Sequence, residues 1–441
     1  MTDTPLAPED LPIISSAARQ RARRARWSIG WLLWLGVLIN YFDRVNLSVS
    51  HNALLGEFGI SDIVFGYLLG AYNWTYCLCQ LPIGVVIDRL GVRRIGRIST
   101  LVWSLASFAA AATPNIPGFF CARFLLGVGE APTFPANAKA IGLWFPHHER
   151  SLATALFDSS AKLGSALGVP IIGVLLLHFG WRMSFAATGV LSFIYFLLFF
   201  GIYRDPEEDP KLGPEELALI RGERGEFAAR DIKVPLSVLL RQPKVIGLAI
   251  GFGSYNYVFY LLLTWLPTYL ASSLHIDLLH SFVYTGVPWL VATLTELFIG
   301  GLLVDKLVQR GWNASRTRMT VLVGGTAMGL GILGCAGSHS AFQALAWITL
   351  SIGGLSAASP VGWSLPSLIA PRGSVGRVGG IMNFSNQISG IAAPIITGYL
   401  VYARHAFGAA FAVAGAYLVV GISAYLFLLR VTHPMTGLKR A

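Results

Sequence analysis

Apolar positions along the chain gather into twelve long stretches separated by short polar breaks, with one longer polar interval in the middle. Windows of about 20 mostly apolar residues, the length that crosses a bilayer, lie at 27–50, 61–87, 95–113, 116–141, 151–177, 184–203, 245–271, 281–304, 317–336, 341–369, 378–402 and 407–429. These predict an all-α integral membrane protein with twelve transmembrane helices. The long polar interval, 204–244, opens with Asp205-Pro206-Glu207-Glu208-Asp209-Pro210 and continues into a mixed-charge segment, 214–230, with the composition of a surface helix. It divides the chain into an N-tail (1–26), a six-helix bundle (27–203), a linker (204–244), a second six-helix bundle (245–429) and a C-tail (430–441).

Composition supports lipid as the solvent. Hydrophobic residues make up 54% of the chain, charged residues 12%, and the mean hydropathy is +0.61; a soluble domain carries roughly 25% charge. The 48 glycines and 22 prolines suit membrane helices, which tolerate both and pack through small residues. The net charge of +11 would suit nucleic acid if it were clustered on one surface. Instead most of the 33 Lys and Arg fall in the N-tail, the linker, the C-tail and alternate loops, leaving Arg182 and Arg404 on the opposite side. This bias places both termini in the cytoplasm and the chain in an inner membrane, as a multi-pass protein. Residues 1–26 lack an apolar core, so the first span reads as a retained helix rather than a cleaved signal. Cys77, Cys79, Cys121 and Cys335 all lie in apolar windows, with no disulfide or metal spacing.

The two halves echo one another. Gly84-Val-Val-Ile-Asp88-Arg89-Leu-Gly91-Val-Arg93-Arg94 follows the second window, and Gly301-Leu-Leu-Val-Asp305-Lys306-Leu follows the eighth. The Gly-x-x-x-Asp-basic unit recurs after 217 residues (301 minus 84). A repeat at matching hydropathy positions marks duplicated carrier halves with a ligand site near the midplane between them.

Charges at membrane depth are costly and therefore functional candidates. The first window holds Asp43 and Arg44; the fourth holds Arg123 and Glu130, two turns apart on one face; the fifth holds Asp158 and Lys162; the eighth holds Glu296. Arginine stays charged and grips a carboxylate through two parallel hydrogen bonds. A carboxylate beside it in a drying cavity is poised between ionised and protonated forms. Acid next to arginine therefore reads as coupling of a proton to an anion, whereas simple mutual neutralisation is the structural alternative.

Along its full length the sequence resembles the major facilitator superfamily, and Gly84–Arg94 resembles that superfamily's signature loop. Within it, Tyr41-Phe-Asp43-Arg44-Val-Asn46-Leu and Arg123-Phe-Leu-Leu-Gly127-Val-Gly-Glu130-Ala-Pro132-Thr-Phe-Pro135-Ala-Asn137 are similar to the anion:cation symporter branch, as are Trp144-Phe-Pro146 and Tyr260-Leu-Leu-Leu-Thr264-Trp265-Leu-Pro267. That branch includes carriers of hexuronates, aldonates and aldarates, and the sialin-like carriers. The resemblance implies two pseudo-symmetric six-helix bundles working by alternating access. It makes Asp43 and Glu130 the proton-carrying acids, and Arg44 and Arg123 the groups that handle the anion. It also implies an inner-side latch between the halves at Gly84, Asp88, Arg89 and Arg93, with a counterpart at Asp305 and Lys306. Lys162 departs from the pattern. Two readings of it stand: an extra cavity charge, which would favour a dicarboxylate, or a partner for Asp158 one turn away. Glu296 reads either as a second protonation site or as an interhelix hydrogen-bonding residue.

The remaining polar residues suit a hydroxylated ligand. Tyr72, Tyr76 and Gln80 share one helix face, as do Tyr257, Tyr260 and Thr264. Ser359, Trp363 and Ser364 lie in the tenth window, and Asn383, Asn386 and Gln387 in the eleventh. Hydroxyls and amides beside an aromatic face fit a sugar acid. The expectation is a monomeric secondary carrier, not an enzyme, that takes up a small organic anion with protons and needs no cofactor, metal or nucleic acid. No Gly-Lys-Ser/Thr phosphate loop is present to bind ATP. An exchanger of organic anions or phosphate esters is the alternative; a sensor lacks a signalling domain, and a drug-efflux pump does not fit Arg44, Arg123 and Lys162.

Overall fold

The computed structural model describes residues 16–145, 147–223, 234–274, 276, 278–338, 340–370, 374–404 and 406–430. All regular structure among them is helical. Twelve spans run antiparallel. Span 1 is Ser16–Val49, and a short helix, His51–Phe58, follows it. Spans 2 and 3 are 62–90 and 92–112, joined at Gly91, whose φ of 80° breaks an otherwise continuous helix Asp62–Ala112. Span 4 is two pieces, Ile116–Glu130 and Thr133–Trp144. Spans 5 and 6 are 147–179 and 181–202, joined at Gly180, with φ 77°.

In the second half, span 7 is Pro243–Ser273. Span 8 runs through Leu278–Thr295, a π-helical segment Glu296–Leu303 and Val304–Gln309. Span 9 is Ala314–Met328 with Gly329–Gly337. Spans 10 and 11 are Ala341–Ile369 and Val375–Arg404; span 12 is Gly408–Ala424 with Tyr425–Leu429. The turn between spans 8 and 9 uses Gly311 at φ 89°, 220 residues after Gly91 (311 minus 91). A left-handed turn that only glycine adopts readily thus recurs at the same point of each half.

Seven helical segments are long and apolar enough on their own to cross a bilayer, and one of these, Leu156–Ile202, contains two spans in series. Spans 1, 2, 4 and 11 fall outside those segments. These four spans carry Asp43, Arg44, Tyr76, Arg123, Glu130, Asn383 and Asn386, whereas Lys162, Tyr260, Glu296 and Trp363 lie within the apolar segments.

Span 1 begins before its apolar window. Residues 16–26, expected in the N-tail, continue the helix, and Arg21 forms a 2.6 Å ion pair with Glu216 on the linker helix Pro214–Glu223. Both acidic stretches of the linker hold basic residues of the first half: Arg93 meets Glu208 at 2.6 Å. The Val234 amide reaches Ser374 Oγ at 2.9 Å, and Arg377 donates to the Val234 carbonyl, so the same linker also grips span 11.

The halves meet through spans 2 and 11, spans 5 and 8, and spans 1 and 7. Their closest approaches lie away from the linker, on what is here called the far side. A Cβ on Gly66 would stand 2.8 Å from Pro394 O, one on Gly398 2.6 Å from Asp62 O, and one on Gly286 2.6 Å from Ala166 O. His51 packs between Phe65 and Trp265, ring centroids 4.6 and 5.5 Å away. These contacts seal the far side.

Candidate functional site

Successive helical residues point about 100° apart, and this separates Asp43 from Arg44. Arg44 looks toward the second half. Its Nε donates to Glu130 Oε2 at 3.0 Å, and its guanidinium lies over the rings of Tyr41, Tyr72 and Tyr76 at 4.6, 4.8 and 5.6 Å. Tyr260, from the second half, also acts electrostatically on both Arg44 and Glu130. Arg44 and Glu130 are 7% and 0% exposed. Arg44 Nη2 has no hydrogen-bond partner among the described residues. A buried guanidinium with spare donors, one carboxylate and an aromatic cage is suited to a second, incoming carboxylate.

Asp43 looks the other way, into the first bundle. Its carboxylate accepts from Ser107 Oγ and Ser192 Oγ, both at 2.8 Å, and from the Trp103 indole. Arg123 Nη1 donates to the Asp43 backbone oxygen at 3.4 Å, while its Nε has no partner among the described residues. Asp43 and Arg123 border a gap walled by Ala106, Ala122, Leu126 and Phe185 that is too tight to admit a water molecule. The four charges therefore form two arrangements that meet at Tyr72, whose ring also lies 5.7 Å from the Arg123 guanidinium.

Span 4 breaks where the chemistry requires it. Pro135 has no N–H, so the carbonyl of Ala131 lacks its helical donor; Gln80 Nε2 from span 2 supplies one at 3.2 Å. Glu130 thus ends a helix segment beside a side-chain-repaired kink. Two glycines let the span sit close: a Cβ on Gly127 would collide with Thr75 Oγ1 and Tyr72 O, and one on Gly129 would stand 2.7 Å from Trp103 N.

The second half contributes neutral groups. Asn383 Nδ2 reaches Gln80 Oε1 at 3.4 Å across the halves, and Asn73 Nδ2 donates to Gly390 O at 2.9 Å. A Cβ on Gly390 would stand 2.9 Å from the Tyr260 ring, which brings spans 2, 7 and 11 together. Asn386 Oδ1, Gln387 Oε1 and both side-chain polar atoms of Asn40 are buried without partners among the described residues. Asn40, one turn before Arg44, was not a candidate on sequence grounds; its only signal is a polar side chain within an apolar window. Trp103 was likewise missed, because an apolar window hides a tryptophan whose indole serves a carboxylate.

Other candidates lie elsewhere. Trp363 packs edge-on against Phe252 at 5.3 Å and is 40% exposed. Tyr257 turns toward Tyr417. Lys162 is not a free cavity charge: it lies 3.2 Å from Asp158 and 3.0 Å from Glu296, so Glu296 makes an ion pair between helices. Of the latch, Arg93 pairs with Glu208 of the linker in this conformer instead of a helix of the other half, and Arg89 and Lys306 are exposed. The surroundings of Gly84 and the side chains of Asp88 and Asp305 lie outside the described residues.

Comparison with known proteins agrees with this architecture. Residues 33–394 match the family model described as Major Facilitator Superfamily. "Uncharacterized transporter YybO" of Bacillus subtilis is 35% identical over 426 residues, covering 96% of this chain and 98% of that protein. "Probable galactarate/D-glucarate transporter GarP" of Escherichia coli is 30% identical over 433 residues, covering 93% and 96%. The inward-open structure of the xylose transporter XylE from Escherichia coli superposes with a TM-score of 0.73 at 15% identity, over 93% of this chain and 97% of that one, a likeness of fold.

Proposed function

Since the chain belongs to the major facilitator superfamily, and is therefore a membrane transporter and not an enzyme, we propose that it takes up a small organic anion together with protons by alternating access. The anion is a sugar acid, whether hexuronate, aldonate or aldarate, or a related carboxylate. The relatives include a named galactarate/D-glucarate carrier, which supports that class. The linker side is the cytoplasm, with both termini there, and the membrane is the inner one; the basic residues of 16–26 and of the linker support this orientation.

One observation carries the reading: Arg44 is paired with Glu130 inside a cage of tyrosines, with a donor to spare. An entering carboxylate competes with Glu130 for the guanidinium. Once released, Glu130 is a buried carboxylate without a counter-charge, a state costing several kcal/mol. Taking up a proton removes that cost. Substrate and proton therefore enter together, and neither is favoured alone. Tyr41, Tyr76, Tyr260, Asn383 and Asn386, with the unpartnered Asn40 and Gln387, offer hydroxyls and amides to the ligand's hydroxyl groups. Arg123 is the second anion-handling group. Asp43 is the second proton-carrying acid: a protonated carboxyl there could donate to Ser107 or Ser192, because a hydroxyl accepts as well as donates.

Counterflow in proteoliposomes, with and without an imposed pH gradient, tests the proposal. A proton symporter accumulates a cognate sugar acid against its gradient when the outside is acidic. An obligate exchanger requires internal substrate and ignores the pH gradient, and that result would overturn the reading. A thermal-shift screen of purified protein against uronates, aldonates and aldarates at two pH values identifies the ligand.

A further inference from the structure

A second group of buried charges lies on the seam between the halves. Lys162, midway along span 5, is held by Asp158 Oδ2 at 3.2 Å, one turn earlier, and by Glu296 Oε2 at 3.0 Å on span 8. Lys162 and Glu296 are 3% and 2% exposed, while the Asp158 side chain is 15% exposed. Spans 5 and 8 belong to different bundles, so this is an ion bridge between them at membrane depth. It sits one turn toward the linker side from Ala166, where the seal against Gly286 begins.

Its charges do not balance. Two carboxylates face one ammonium, and an excess charge in a largely buried site is unfavourable unless a proton or a counter-ion removes it. No second cation is supplied among the described residues. The other titratable side chains acting on Lys162 are the phenols Tyr255 of span 7 and Tyr41 of span 1, and the ring of Phe259 lies 5.9 Å from its ammonium. Arg44, beyond Tyr41, is committed to Glu130. The backbone adds a second feature. Glu296 is the first residue of the π-helical segment Glu296–Leu303. Such segments are rare and cluster at functional sites, because a change between α and π registers redirects the side chain at the junction.

We propose that Asp158, Lys162 and Glu296 form a second proton site, in which the two carboxylates share one exchangeable proton and the ammonium neutralises the other charge. The proton sits as an O–H on one carboxyl and is donated to the other; Lys162 remains an ammonium throughout. Closure of the seam holds the proton in place. Parting of spans 5 and 8 admits water and lets it leave, so the site registers the conformational change, not the substrate. The consequence for transport, one additional proton per cycle, rests on the proton-coupled reading above; the charge count does not.

The test is the number of protons moved per substrate, read from reversal potentials in proteoliposomes. Glu296→Gln and Asp158→Asn each leave a balanced pair with Lys162, so each is expected to lower the wild-type ratio by one. Glu296→Asp is expected to retain it. An active neutral variant that keeps the full ratio overturns the proposal. Infrared spectra of the wild type and both neutral variants in detergent, which require folding but not transport, are expected to show a protonated-carboxyl band component that both variants lack. Survival of that component in both variants also overturns it. Substrate flux without any proton movement in the wild type would instead overturn the symport reading, and the infrared comparison would then decide the site by itself.

Discussion

Asp43 and Glu130 are buried carboxylates of the same six-helix bundle, held by opposite chemistry. Asp43 has three neutral donors, an indole and two hydroxyls, from spans 3 and 6. Glu130 has a cation, Arg44, which it shares with an aromatic cage opening toward the other half. Neutral donors stabilise a carboxylate without competing for a ligand. A cation can be taken away by one. On the proposed reading the two buried carboxylates therefore serve two purposes: Glu130 would exchange its proton against substrate, and Asp43 would exchange its own through a rotation of serine hydroxyls inside the bundle.

The largest effect should come from breaking the Glu130 side. Arg44→Gln leaves Glu130 unpaired, a loss on the scale of about 3–5 kcal/mol for a buried pair. Substrate binding should fall by at least about a hundredfold by calorimetry, and retained affinity would show that the pair does not hold the anion. Breaking the Asp43 side should act differently. Trp103→Phe removes one hydrogen bond to a charged group, about 1.5–3 kcal/mol, so melting temperature should fall while substrate affinity stays within a few-fold. A large loss of affinity with unchanged melting temperature would erase the distinction between the two acids.

Smaller changes sharpen it. Gln80→Leu withdraws the donor from the Ala131 carbonyl at the span 4 kink, a cost of about 1–3 kcal/mol for an unsatisfied buried group. Because the kink positions Glu130, transport should suffer more than Asp43-dependent stability does, which parallel transport and melting measurements check. The smallest effect belongs to a carboxylate outside the membrane. Glu57 is held below its ordinary value near 4.5 by hydrogen bonds from Trp181 and Arg182, with the Arg182 charge adding to them. A depressed carboxylate stabilises the fold above its unfolded pKa and loses that contribution as pH falls through its lower folded value. Glu57→Gln should therefore cost about 0.2–1 kcal/mol at neutral pH, and the difference from wild type should vanish in strong acid.

Much of this was legible in the sequence, and the reason is energetic. Twelve spans and the charges at 43, 44, 123 and 130 stand out because lipid penalises every exception to apolarity. The tyrosine stripe Tyr72–Tyr76 followed from helical spacing, and both rings do face Arg44. What could not be read depends on contacts between distant residues. Glu296 finds Lys162 across 134 positions, and Asp43 finds Ser192 across 149. Nothing in the acidic run at 205–209 pointed to a partner, yet Glu208 holds Arg93 because the Gly91 turn brings the signature loop back against it. Spacing on one helix shows which residues share a face; it does not show what that face meets.

The most direct test of the exchange between Arg44, Glu130 and substrate is proton uptake on binding. Purified protein in weakly buffered detergent solution should take up a proton when a cognate sugar acid binds, reported by a pH dye or by calorimetry in buffers of different ionisation enthalpy. The account predicts that Glu130→Gln abolishes this linked uptake and that Asp43→Asn leaves it in place. Uptake that survives in Glu130→Gln, or disappears in Asp43→Asn alone, would contradict it.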